Sequence, residues 1–206
     1  MKPAAKIAGV ILAAGASSRM GHPKAMLRLD DGATLLSSQA SLLSKAGCSV
    51  VAAVVGSMAE DIRAGNVELE VLWAKNENWR AGQFSSVQVG LSAVKKAGAK
   101  RALVLPVDVA GVRVETIEAI IETSLRNPHA EAVLPEFEGR GGHPVCFSMA
   151  AVDRILEMDP ADLNSRLDSF IRTSTTAIRL PVNDPRVVRN VNTPEEWEAY
   201  RRGERT

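Results

Sequence analysis

The sequence predicts an α/β protein of three layers, αβα, around a Rossmann-like, mostly parallel sheet, built as a single domain over residues 1–206. Two observations carry this prediction. Three short apolar runs, Ile7–Ala13, Val50–Val55 and residues 101–107, lack strict alternation, as strands buried on both faces do. Between them lie stretches with helical spacing, and strand–helix–strand repetition implies right-handed crossovers and a doubly wound sheet.

The elements follow in order. Leu35, Leu36, Leu42 and Leu43 mark the first helix, with Gly47 as its C-cap. Val87, Leu91 and Val94 mark the second, closed by Gly98. Ile117, Ile120, Ile121 and Leu125 mark the third, which stops before Asn127-Pro128 because the residue preceding a proline avoids helical backbone. The second half is less regular. Residues 131–135 and 144–148 read as strands flanking a loop, 136–143, that holds three glycines. Helices at 150–158 and 163–172 follow, then a strand at 176–180. The last helix opens with Thr193-Pro194-Glu195-Glu196, in which Thr193 can cap, Pro194 suits the first helical position and Glu196 can complete a capping box.

Composition excludes several classes. A chain of 206 residues can bury a sizeable core, and 46% hydrophobic with 24% charged residues is ordinary for a globular protein. The net charge of +1 gives no pointer to nucleic acid. No apolar run approaches the roughly 18 residues of a membrane span, so no membrane partner is expected. The opening MKPAAKIAGVILAAG places charge before an apolar stretch, as a leader does. That stretch runs straight into a glycine loop with chemical potential, however, and the expectation is a cytoplasmic protein without a leader. Cys48 and Cys146 stand alone with no CxxC, which argues against a disulfide scaffold or structural zinc.

The loop LAAGASSRMGHPK, residues 12–24, leaves the first strand at the sheet edge where open α/β folds bind ligands. Its small residues let backbone N–H groups approach a phosphate, and Arg19 and Lys24 add fixed positive charge. It is not a GxGxxG fingerprint, and Gly21 is followed by His22 rather than the Lys of a Walker loop. A tight turn with solvated basic residues is the plainer alternative. Asp108 ends an apolar strand, where it could offer a hard oxygen to a cation or simply cap a turn. Gly82 and Ser86 open a helix whose amides could hold an anion, though Ser86 could equally be only a cap. Trp73 and Trp79 read as packing rather than base-stacking platforms.

The same loop resembles the signature of the nucleotidyltransferases related to molybdenum cofactor biosynthesis, approximately LAAGxSxRMGxxK. The resemblance continues along the chain. Residues 76–87, NENWRAGQFSSV, are similar to a second motif: an Asn, a Gly-Met pair six residues on, then a Ser before a helix. Leu105-Pro106-Val107-Asp108 resembles a metal-binding strand end, and Gly142-His143-Pro144 a further motif. Asn192-Thr193-Pro194-Glu195 stands in the place of a DTPE-like terminal motif. All occur in the family's order.

The resemblance implies a nucleotide-diphospho-sugar transferase type of fold, one nucleotidyltransferase domain, and Mg²⁺-dependent transfer of a nucleoside monophosphate from an NTP to a phosphorylated small acceptor. It implies nucleotide binding by Leu12, Ala13, Ala14, Gly15, Ser17, Ser18, Arg19, Lys24, Asn76, Gly82 and Ser86. Arg19 would hold the β/γ phosphates and Lys24 would neutralise the α-phosphate region, forming the catalytic set with Asp108. Asp108 and Asn192 would hold Mg²⁺, and His143 would contact the acceptor. An LAAG loop resembles the cytidylyl-transferring members, whereas guanylyl-transferring ones tend to have LAGG, and a methyl group at Ala14 crowds a purine more than a pyrimidine. CTP with molybdopterin or its molybdenum form is the expected pair, and a molybdenum enzyme is a further candidate partner. The alternatives are a sugar- or polyol-phosphate nucleotidyltransferase and a nucleotide-binding maturation factor of weak turnover. The second arises from a departure: Asn192 stands where the family usually has Asp, and a neutral oxygen can coordinate but cancels no charge. Ala110 and Gln83 likewise replace a usual Pro and Met.

Overall fold

The computed structural model describes residues 6–162 and 165–203. At its centre lies β1 (Ile7–Ala13), buried at every position because it is sandwiched on both faces and flanked on both edges. In chain order there follow α1 (Leu35–Lys45), β2 (Val50–Val55), α2 (Ala59–Ala64), β3 (Leu72–Lys75), α3 (Gln83–Lys96), β4 (Arg101–Pro106) and α4 (Val114–Arg126). The second half contributes β5 (Ala132–Phe137), β6 (Arg140–Gly141), β7 (Val145–Ser148), α5 (Met149–Glu157), α6 (Leu167–Thr173), β8 (Ile178–Pro181) and α7 (Pro194–Arg201).

The sheet order is β3-β2-β1-β4-β7-β5-β6, with β8 paired to β5. Strands β3, β2, β1 and β4 run parallel, β7 is antiparallel to both neighbours, and β8 is parallel to β5. The sheet is therefore mixed but mostly parallel. The reversal comes from a short connection: Phe137 and Arg140 are joined by Glu138 and Gly139, both at positive φ (50° and 76°), as a two-residue type I′ hairpin requires. Past this hairpin the register slips. Glu136 pairs with Gly141 but Val133 with Cys146, so three steps along β5 match five along its partner, and the surplus is absorbed around Gly142-His143-Pro144.

Period-2 alternation sorts β1 onto the two outer layers. Ile7, Ile11 and Ala13 join one core cluster with Leu36 and Leu43 of α1 and Ile117 and Ile120 of α4. Ala8, Val10 and Leu12 join the other with Val87, Leu91 and Val94 of α3 and Val152 and Ile155 of α5. Helix α3 lies close because of Gly90, where an added Cβ would stand 2.3 Å from Val10 and 2.8 Å from Val54. No helix among the described residues is long and apolar enough to cross a membrane.

Several boundaries differ from expectation. β4 ends at Pro106 rather than residue 107, and β8 lies slightly later than 176–180. The helix expected over 163–172 starts at Leu167; its first expected residues, Leu163 and Asn164, lie outside the described residues, and Ser165 and Arg166 are not helical. β3 and α2 were not anticipated, being only four and six residues long.

Helix α7 matters most for the site. Its capping box is complete: Glu196 N–H donates to Thr193 Oγ1 at 3.3 Å, and Thr193 N–H donates to Glu196 Oε2 at 3.1 Å. Trp197, 6% exposed, anchors it in the core. Thr193→Ala should lower stability by about 1 kcal/mol, read as a reduced midpoint in urea titration with an unchanged slope.

Candidate active site

Leaving β1, the chain crosses to β2 on one side and later returns to β4 on the other. The carboxyl ends of β1 and β4 thus frame a topological switch point, where open sheets leave a crevice. A cleft of about 610 Å³ opens there. Among the residues nominated from sequence, Leu12, Ala13, Ala14, Gly15, Ser17, Ser18, Arg19, Lys24, Gly82, Ser86, Asp108 and Asn192 all line it.

The loop after β1 is held open by its own geometry. Ser17 adopts left-handed backbone (φ 51°), its carbonyl accepts from Met20 N–H at 2.9 Å, and its Oγ accepts from Lys24 N–H at 3.1 Å. Among the described residues no acceptor takes the amides of Gly15, Ala16, Ser17 or Ser18, and all four residues line the cleft.

Charge converges opposite the loop. Lys24 Nζ donates to Asp108 Oδ2 at 2.9 Å and to Asn192 Oδ1 at 2.7 Å. Arg19 Nη2 donates to the same Asn192 oxygen at 3.3 Å. Lys24 and Asp108 side chains are 12% and 21% exposed, so the pair is sheltered yet reachable. Backbone contacts fix the two oxygens relative to each other: Val191 N–H donates to Asp108 O at 2.8 Å, stitching the segment before α7 to the end of β4.

Two nominated residues lie elsewhere. Asn76 is 3% exposed, and its amide is consumed within the fold: Nδ2 donates to Ser85 Oγ and Ser86 Oγ, both at 2.9 Å, while Oδ1 accepts from Asn78 N–H at 3.0 Å. It ties the end of β3 to the start of α3 and does not line the cleft. His143 lines a second cavity of about 630 Å³, which adjoins the cleft through Leu12, Gly82 and Gln83 and continues to Asp168 of α6. Its backbone N–H donates to Val187 O at 2.8 Å, while Nδ1, buried, has no hydrogen-bond partner. Burial pushes its pKa down, against the opposing pull of the Asp168 and Asp108 carboxylates.

The structure also adds residues. Trp79 and Arg80 line the cleft, the guanidinium lying 4.3 Å above the indole centroid, so Trp79 is more than interior packing. Gln83 and Asn190 line it as well. Gln39, 3% exposed on α1, donates through Nε2 to the carbonyls of Val107 and Val109, each at 3.0 Å, and so clamps both sides of Asp108. Its signal was legible: a polar residue on a stripe with Leu36, Ala40 and Leu43.

A protein of Mycobacterium ulcerans (strain Agy99) named "Probable molybdenum cofactor guanylyltransferase" is 30% identical over 212 residues, covering 95% of this chain and 94% of that protein. A nucleotidyl transferase from Methanothermobacter thermautotroptrophicus superposes with a TM-score of 0.78 at 20% identity, covering 96% of this chain and 97% of that one. The 4-diphosphocytidyl-2C-methyl-D-erythritol synthase of Anaerococcus prevotii gives 0.72 at 16% identity, covering 97% and 96%. At such identities the structural likeness concerns the fold. The family model for the MobA-like NTP transferase domain matches residues 9–178, most of the chain, and this chain belongs to that family of nucleotidyltransferases.

Proposed function

We propose that the protein transfers a cytidylyl group from CTP to the phosphate of molybdopterin or its molybdenum form, releasing pyrophosphate. The observation that carries the transfer chemistry is the convergence of Lys24, Arg19, Asp108 and Asn192 on one point of a cleft walled by unpaired loop amides.

An acceptor phosphate oxygen attacks the α-phosphorus, a new P–O bond forms, and the bond to the bridging oxygen breaks with its electron pair leaving on pyrophosphate. Charge accumulates on the phosphoryl oxygens throughout. The amides of residues 15–18 and the Arg19 guanidinium would bind the β and γ phosphates, and Lys24 would neutralise the α-phosphate as charge builds there. Asp108 Oδ2 and Asn192 Oδ1 are hard donors that already share one cation, the Lys24 ammonium, so they fit Mg²⁺. Among the described residues no group of three or more His, Cys, Asp or Glu forms a metal cage, which suits an ion completed by phosphate and water. When bound, such an ion supplies Lewis-acid charge neutralisation. The acceptor would occupy the adjoining cavity, which His143 and Asp168 line.

The preference for CTP rests on Ala14. Ala14 lines the cleft and is 4% exposed, and a methyl there leaves less room for a purine than a glycine would. Calorimetric titration in Mg²⁺ should give tighter binding of CTP than of GTP, and Ala14→Gly should shift preference toward purines. GTP is the second reading, favoured by the name of the M. ulcerans relative; a clear GTP preference would establish it. Pyrophosphate release with the four NTPs and candidate acceptors tests the whole proposal, and absence of release with every pair would overturn it.

A further inference from the structure

We propose that Lys24 is a tethered cation that fills the metal position in the nucleotide-free protein, so that a divalent ion can settle there only once a nucleotide has drawn the lysine away. This deepens the nucleotidyl-transfer reading and rests on it for the identity of the nucleotide, though not for the behaviour of the metal.

The two oxygens are held by short, rigid connections, and the ammonium is not. Asp108 follows β4 directly, and its neighbours Val107 and Val109 are clamped by Gln39. Asn192 is fixed by its own N–H, which donates to Glu196 Oε2 at 2.5 Å, and by Val191 bonding to Asp108 O. Lys24 reaches the same point on a four-carbon stem from a 3-10 turn, with only its backbone pinned through Ser17. Its Nζ lies within 3 Å of both oxygens, at 2.9 and 2.7 Å. A Mg²⁺ ion needs its oxygens at about 2.0–2.1 Å in near-octahedral array, so it and the ammonium cannot share that space.

Charge makes the exclusion stronger. Asp108 contributes one negative charge and Lys24 cancels it, Asn192 contributes none, and Arg19 adds a positive charge at the same oxygen. Lys24, Arg19, Asp108 and Asn192 together therefore present no net negative charge at the point where the ion would bind. A triphosphate reverses this: it attracts both cationic side chains and brings its own oxygens. Asn192 gains a role here, since a second carboxylate would hold a metal without waiting for nucleotide.

Titration of Mn²⁺ against the nucleotide-free protein, followed by the EPR signal of free Mn²⁺, reads this directly. Wild type should bind weakly, and Lys24→Met should tighten Mn²⁺ binding at least tenfold. Lys24→Gln, similar in length and also uncharged, should do the same, which guards against a folding fault in either variant; thermal melts accompany both. Adding Asp108→Asn to Lys24→Met should abolish the gain. In wild type, CTP or GTP with its α,β-bridging oxygen replaced by methylene should tighten Mn²⁺ binding at least tenfold. Unchanged or weaker Mn²⁺ binding in folded Lys24→Met and Lys24→Gln would overturn the proposal. The metal-only titration needs no turnover, so its failure is distinguishable from an absence of pyrophosphate release.

Discussion

Asp108→Ala is expected to lower turnover by about 10²- to 10³-fold, the cost of removing one strongly placed electrostatic group from a transfer site. The carboxylate is the sole negative charge in the Lys24–Asn192–Arg19 convergence, and no other described acidic side chain ion-pairs with Lys24. The fold should survive its loss. The pair is sheltered, at 12% and 21% exposed, but Lys24 keeps its 2.7 Å bond to Asn192, so the cost should stay below the roughly 3–5 kcal/mol of breaking a fully buried pair. Steady-state pyrophosphate release and a urea titration, done side by side, separate the two effects. A converse change follows from the same geometry. Asn192→Asp places an anionic oxygen at the same reach, and Mg²⁺ should activate at lower concentration. Unchanged metal dependence in both variants would mean that neither residue is a ligand.

Phe147→Ala is expected to cost about 3–5 kcal/mol of folding stability, the usual range for truncating a buried aromatic side chain. Phe147 is fully buried at the centre of β7, between β4 and β5 in the sheet. Its ring meets Phe170 of α6 edge-on, with centroids 6.2 Å apart, in the cluster that also holds Val152 and Ile155 of α5. Two helices, α5 and α6, thus pack over this part of β7. Against a typical total of 5–15 kcal/mol the loss is large. Chemical denaturation should show a sharply lower midpoint with an unchanged slope, and a loss below about 1 kcal/mol would show that the site repacks. Leu167 and Asp168 of α6 also line the cavity beside His143, so slack at Phe147 should weaken acceptor use as well.

What could be read from sequence divides along physical lines. β1 and β2 match their expected bounds because strands covered on both faces need unbroken apolar runs. β3 escaped notice because it is an edge strand of four residues with mixed exposure. α2 escaped because it starts abruptly from Met58 in left-handed backbone and spans under two turns. The direction of β7 follows from the tight Glu138-Gly139 turn, both residues at positive φ, a local feature that the buried parallel strands do not share. At the site, the loop and Asp108 were legible because their chemistry stands at strand ends. Asn76 was placed by resemblance with the nucleotide binders, whereas its hydrogen bonds show a brace between β3 and α3. Pairings such as Lys24 with Asn192 depend on the tertiary path of the chain, and no spacing rule reaches that far.

The separation of 168 positions from Lys24 to Asn192 also orders events in time. On a ribosome adding about 5–20 residues per second, roughly 8 to 34 s separate the making of these two residues. During that interval the loop after β1 and its lysine can exist while the Asn192 oxygen has yet to be synthesised. The full partner set of Lys24 therefore assembles last, only as the segment leading into α7 docks beside Asp108.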